Sequence, residues 1–146
     1  MGITSRFGKM LERVILAGAV CLAAGGFARG TDVWLDVDTA TGLTDVDDGL
    51  MLIQCFHSPE LTIRGVSVVF GNAPLKAAVP IAREIVSRFG PEGLEIHPGA
   101  AGEEDLGEEN AAVRAMAAAL RERPLTILAV GPVTNVGTLV KNHPEL

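Results

Sequence analysis

Short apolar runs rich in β-branched residues alternate with longer segments of helical periodicity along most of this chain. After Thr31 the pattern predicts four strand-helix pairs in succession. The strands are predicted at "DVWLDV", "LTIRGVSVVF", "LEIHPG" and "LTILAV", and the helices at "DVDDGLMLIQCFH", "PLKAAVPIAREIVSRFG", "EENAAVRAMAAALRER" and "VTNVGTLVKNHPEL". Such alternation is typical of parallel strands joined by helical crossovers. We therefore predict an α/β fold, a Rossmann-like, mostly parallel sheet with flanking helices.

Two features interrupt the regular pattern. Pro80 lies within the second predicted helix, where proline either kinks a helix or marks its true start. The segment "GAAGEEDLGEEN" combines acidic residues with glycine. We predict a surface loop there whose charges are solvated.

The first 28 residues have a different composition from the rest. Three basic residues precede the apolar run "VILAGAVCLAAGGFA", which ends in a small-x-small pattern at Ala28. This layout is typical of a secretory signal, and the run is shorter than the roughly 20 residues that span a bilayer. We predict a signal peptide over residues 1–28, cleaved after Ala28, and a domain over residues 29–146. The product would be periplasmic or secreted, without stable membrane insertion; an uncleaved membrane anchor is the alternative.

The charge of the chain limits its partners. The formal net charge is −6 and the pI is about 5.0, whereas nucleic-acid binding requires a basic face. We therefore expect no nucleic-acid partner.

Five aspartates fall within thirteen positions in the stretch "WLDVDTATGLTDVDDGL". They follow the first predicted strand and enter the first helix. The strand-end motifs "FGN" and "VGPVTN" are expected at the same edge, because the carboxyl ends of parallel strands gather there and form ligand sites. The five are Asp36, Asp38, Asp45, Asp47 and Asp48.

Carboxylates packed close together must either protonate or share a cation. Oxygen ligands of this kind suit Ca²⁺ or Mg²⁺. The alternative is that Asp45 is a helix N-cap, with acids in the first helical turn and in the loop. An EF-hand loop is excluded because Ala40 and Thr41 occupy its fifth and sixth positions. A D-x-D phosphatase with Asp36 as nucleophile is a further alternative, although Ala40 replaces the expected Thr or Val.

Five motifs in order resemble one enzyme family. "DVD", "DVDDGLML", "IRGVSVVFGNAPL", "LEIHPGA" and "LTILAVGPVTNV" are similar to the motifs of nucleoside hydrolases, the inosine-uridine preferring ribohydrolases. The resemblance runs from about Val33 to Leu146. It implies hydrolysis of the N-glycosidic bond of ribonucleosides by a water that Ca²⁺ activates.

The resemblance also implies roles for particular residues. Asp38 would be a metal ligand and the general base, and Asp48 a bidentate Ca²⁺ ligand. Asp47 and Asn72 would bind the nucleoside. Val130 would ligate the metal through its backbone carbonyl. Asp36 would support the loop without being a ligand of the metal.

The chain departs from the family pattern in two ways. Eight residues, Thr39 through Val46, separate Asp38 from Asp47, which is a longer loop than the family's usual one and would reshape the ribose pocket. The resemblance covers the N-terminal half of the family's fold, so we expect weak Ca²⁺ binding and slow or no turnover. A non-catalytic remnant that binds a cation or ribose is therefore an alternative. We also expect the fourth strand to expose apolar surface. A homo-oligomer, as in the family, is expected as well.

Overall fold

The structure, a computed structural model, describes residues 30–146. The signal peptide predicted over residues 1–28 lies outside the described residues. The described part contains a four-stranded parallel sheet in the order β3-β2-β1-β4. Its strands are β1 Thr31–Val37, β2 Leu61–Val68, β3 Ile96–Pro98 and β4 Thr126–Ala129. The predicted parallel α/β architecture is confirmed.

Helices flank the sheet as α1 Asp47–Phe56, α2 Leu75–Phe89, α3 Ala111–Glu122 and α4 Thr134–Asn142. Within residues 30–146, none of the helices has the length and apolar character needed to cross a membrane.

Pro80 lies inside α2, which begins at Leu75, so of the two predicted alternatives the one in which Pro80 marks the start of this helix is wrong. Proline has no backbone N–H, so α2 lacks the hydrogen bond that this position would donate to the carbonyl of Lys76. Both residues are exposed, so water can replace the missing donor.

Helices cover both faces of the sheet around β1, which explains why apolar residues of this strand point to either side. Val33, Leu35 and Val37 of β1 pack into one core together with α1 and α2. Trp34 points to the other face, where it packs against α3 and Leu139 of α4. β1 is therefore central to both cores.

The acidic loop before α3 is more ordered than its composition indicates. A short 3₁₀ helix spans Glu103–Asp105, and the Asp105 carboxylate accepts hydrogen bonds from the backbone N–H groups of Ala101 and Gly102. Glu109 accepts a hydrogen bond from Asn142 of α4 at 3.1 Å. The expectation that these charges are only solvated is wrong for Asp105 and Glu109, because both satisfy local donors.

Candidate functional site

Three chain segments meet where β1, β2 and β4 end. β1 pairs with β2 on one side and with β4 on the other, so that Asp36 faces Ser67 and Ala129 in register. The backbone N–H of Val130 donates to the carbonyl of Asp36 at 3.0 Å. The predicted convergence of the strand ends is therefore present in the structure.

Asp36 is fully buried and joins these segments. Its Oδ1 accepts hydrogen bonds from Ser67 Oγ at 2.5 Å and from Asn135 Nδ2 at 3.0 Å. Burial raises the pKa of Asp36 above its ordinary value, and the two hydrogen bonds oppose that rise. Since Oδ2 is also buried, the carboxylate has no access to a phosphate ester. The phosphatase alternative, which requires Asp36 as an attacking nucleophile, is therefore disfavoured.

Sequence reasoning assigned no role to Ser67 or Asn135. Ser67 also accepts a hydrogen bond from Trp34 Nε1 at 2.9 Å, and Asn135 Oδ1 accepts one from the backbone N–H of Ala100 at 2.8 Å. The sequence does indicate a role for Ser67, because this residue carries the one hydroxyl in the otherwise apolar run "GVSVVF". The two side chains both donate to Oδ1 of Asp36 and so hold its carboxylate in place.

Asp38 is buried just beyond the end of β1. Its Oδ2 accepts a hydrogen bond from the backbone N–H of Asn72 at 2.9 Å. Two glycines allow the neighbouring loops to approach it: a Cβ added at Gly71 would overlap Oδ2, and one added at Gly131 would lie 2.8 Å from the Asp38 Cβ. The backbone therefore forms a close cradle around this carboxylate.

Asn72 and Val130 are both exposed beside this cradle. The carbonyl of Asn72 accepts a hydrogen bond from Thr44 Oγ1 at 3.3 Å, which ties the long loop to the end of β2. Val130 is 50% exposed. Its apolar character is compatible with a role that uses the backbone alone.

Asp48 lies in the first turn of α1 and is only 3% exposed. Its Oδ1 is buried and has no hydrogen-bond partner. Burial, followed by the nearby charge of Asp38, raises the pKa of Asp48 to about 7. Asp47 is exposed, and its Oδ1 accepts the backbone N–H of Asp48 at 3.1 Å. A deprotonated Asp48 is thus costly unless a positive charge reaches it.

Asp45 joins this group from the long loop. Carboxylate oxygens of Asp45, Asp47 and Asp48 all lie within 4.8 Å of one another. The N-cap of α1 is Val46, and no side chain caps the helix. The interpretation of Asp45 as an N-cap is therefore wrong.

The donor set consists of carboxylate and backbone oxygens, which are the ligands that hard divalent cations prefer. The unpartnered oxygen of Asp48 and the glycine cradle around Asp38 fit such an ion. A cation here would remove the repulsion among the carboxylates. Bound to an open site, it would also polarise a water.

Residues 33–146 match the sequence profile of the inosine-uridine preferring nucleoside hydrolases. The chain is also similar to the pyrimidine-specific ribonucleoside hydrolase RihA of Salmonella typhi, at 30% identity. That match covers 68% of this chain and 41% of the relative. The chain therefore spans less than half the length of this curated relative.

Solved structures show the same fold. A plant nucleoside hydrolase superposes with a TM-score of 0.65 at 22% identity, over 78% of this chain and 43% of its own. The purine-preferring ribonucleoside hydrolase of Gardnerella vaginalis superposes with a TM-score of 0.66 at 20% identity, over 79% of this chain and 45% of its own.

Proposed function

The chain belongs to the inosine-uridine preferring nucleoside hydrolase family, and we propose that it takes part in hydrolysis of the N-glycosidic bond of ribonucleosides. It supplies the part of the site that binds the cation and accepts the proton of the attacking water. The observation that carries the proposal is the buried, unpartnered Oδ1 of Asp48 beside Asp38 at the carboxyl edge of the sheet.

Calcium is the proposed cation. Asp38 and Asp48 would hold it together with the backbone carbonyl of Val130. Ca²⁺ accepts six to eight oxygen ligands in flexible geometry, which suits carboxylates that come from a strand end and a helix start. When bound, it supplies the positive charge that lowers the pKa of an attacking water.

Asp38 is the proposed general base. The N–H of Asn72 binds one of its oxygens, and the glycines on either side restrict its movement. A carboxylate held in a fixed orientation accepts a proton efficiently, because no reorganisation is needed when the proton arrives. The negative charge of the cluster also favours an oxocarbenium-like sugar.

Asp47 and Asn72 are the proposed contacts to the nucleoside. Both are exposed at the rim of the cluster, where ribose hydroxyls could reach them. Asp36 is a positioning residue, since it is fully buried and bound to Ser67 and Asn135. Cleavage of the signal over residues 1–28 would allow the protein to act outside the cytoplasm.

The test measures Ca²⁺-dependent binding and hydrolysis by the full chain. Inosine and uridine are titrated calorimetrically in CaCl₂ and in EDTA, and released ribose is followed by a reducing-sugar assay. We expect binding only with Ca²⁺, and slow ribose release that Asp38→Asn abolishes. The matched control is Asp32→Asn at the opposite end of β1, which should retain both properties.

Each outcome bears on the proposal. Absence of Ca²⁺-dependent nucleoside binding would overturn it. Equal ribose release by Asp38→Asn would remove Asp38 as the base. Binding that depends on Ca²⁺, without ribose release above the Asp38→Asn background, would assign this chain as a binding module.

A further inference from the structure

We infer that Asp45 is a further ligand of the divalent cation, supplied by the long loop between β1 and α1. The inference rests on the proposed function, because it concerns the same cation. It adds a ligand that the resemblance of the motifs did not assign. The loop would then be part of the cation site rather than a spacer.

The first support is the distance among the carboxylates. One oxygen from each of Asp45, Asp47 and Asp48 lies within 4.8 Å of the other two. Oxygens that bind one calcium ion at 2.3–2.6 Å have separations of this size or smaller. A single ion could therefore contact all three after small side-chain rotations.

The second support is that, in the described part of the chain, the carboxylates of Asp45 and Asp48 have buried oxygens without a hydrogen-bond partner and form no ion pair. Both oxygens of Asp45 are buried without a hydrogen-bond partner, and so is Oδ1 of the almost fully buried Asp48. None of the ion pairs formed within residues 30–146 involves Asp45, Asp47 or Asp48. A buried carboxylate is costly unless a positive charge or donors reach it. Within the described chain, Asp45 and Asp48 therefore lack the positive charge that would make the burial of their carboxylate oxygens favourable.

The loop holds Asp45 close to α1. Thr41 and Asp45 form a β-bridge, and the N–H groups of Leu43 and Thr44 both donate to the Ala40 carbonyl. Gly49 of α1 packs against the Thr41 side chain so closely that a Cβ there would overlap it. A ligand already held in place loses little conformational entropy on binding. Asp45 is thus prearranged to share an ion with α1.

The experiment uses Ca²⁺ and luminescent Tb³⁺ as probes on the full chain. Ca²⁺ affinity is measured by calorimetry for the wild type and for Asp45→Asn. The number of waters on bound Tb³⁺ is measured from decay rates in H₂O and D₂O for Asp45→Ala. We expect Asp45→Asn to weaken Ca²⁺ binding by about tenfold or more, and Asp45→Ala to admit about one additional water.

The control variant is Thr44→Val, which removes the hydroxyl that donates to Asn72 but keeps every carboxylate. It should retain the affinity of the wild type. If Thr44→Val weakened binding as much as Asp45→Asn, loop order rather than ligation would explain the loss and the inference would be overturned. Weaker affinity with an unchanged water count would also overturn it, because a distant charge would then suffice.

Failure of the inference can be separated from failure of the proposed function. If the Asp45 variants bound Ca²⁺ like the wild type while Asp48→Asn did not, only the inference would fall. If the wild type bound neither Ca²⁺ nor Tb³⁺, the inference and the cation of the proposed function would fall together.

Discussion

Asn135 donates its side-chain amide to the carboxylate of Asp36 at 3.0 Å, although 99 positions separate the two residues in sequence. The contact joins the first strand of the described chain to its last helix. Asn135 also accepts the backbone N–H of Ala100 after β3. One side chain therefore connects three segments at the edge of the sheet that carries the acidic cluster.

Asn135→Ala should destabilise the fold strongly. It leaves the buried Asp36 carboxylate short of a donor and the N–H of Ala100 without an acceptor, which together cost about 3 kcal/mol or more. Urea unfolding followed by fluorescence measures this, since Trp34 is the single tryptophan and contacts the same network through Ser67. The control is Asn142→Ala on the exposed end of α4, which should cost less than about 1 kcal/mol. If both variants lost the same free energy of unfolding, the hydrogen bonds of Asn135 would contribute no more to stability than those of an exposed residue.

The sequence predicts the order of the elements well, because the carboxyl-terminal halves of β1 and β2 are buried and carry mostly apolar residues. Ends of helices are predicted less well. α4 stops at Asn142, before the end of its predicted segment, since Pro144 disfavours a helical conformation for His143. α1 starts at Asp47, two residues later than predicted, because Asp45 is held in the bridge with Thr41.

The acidic site is only partly predictable. The meeting of the strand ends follows from parallel topology alone. The pairing of Asp36 with Ser67 depends on strand register, which shifts by one residue between Val33 and Trp34 through an irregularity that the residue pattern does not reveal. The approach of Asp45 depends on a turn in which Gly42 has a φ of +85°, and loop conformation of this kind does not follow from periodicity.

Gly71→Ala should displace Asp38. The new Cβ would overlap Oδ2 of Asp38, so the carboxylate or the loop must move, at a cost of about 1–3 kcal/mol. We expect weaker Ca²⁺ binding by calorimetry together with the lower stability. Gly93→Ala is the control, because Gly93 has a φ of +77° but a Cβ there meets nothing within 4 Å. It should lose about 1 kcal/mol of stability from backbone strain and bind Ca²⁺ normally; weaker binding by this control would contradict the local explanation.

Stability in the absence of cations should fall as the pH rises from about 4 to about 7. Asp48 keeps its proton to about pH 7 in the folded chain, whereas its ordinary pKa is 3.8. Between these values the folded state binds more protons than the unfolded state, so the free energy of unfolding decreases with pH. The measurement is urea unfolding in EDTA at several pH values.

The matched variant for this experiment is Asp48→Asn. It has no proton to lose, so its stability should depend less steeply on pH and should exceed that of the wild type near pH 7. Thr44→Val, which changes no titratable group, should retain the slope of the wild type. If the slopes of the wild type and Asp48→Asn coincided, Asp48 would not be the group responsible.

The 146-residue chain should self-associate through β4. In the part of the chain that the structure describes, β4 borders no further strand, and Leu128, Val130 and Val133 are 37%, 50% and 63% exposed. An apolar strand edge is a template for pairing with another chain. Leu128→Lys places a charge on that edge and should shift the chain towards monomer in sedimentation velocity over a concentration series. Leu43→Lys changes another leucine, which is more exposed than Leu128 and lies in the loop after β1, and it should leave association unchanged. A wild-type chain that stays monomeric at every concentration would show that this edge does not pair.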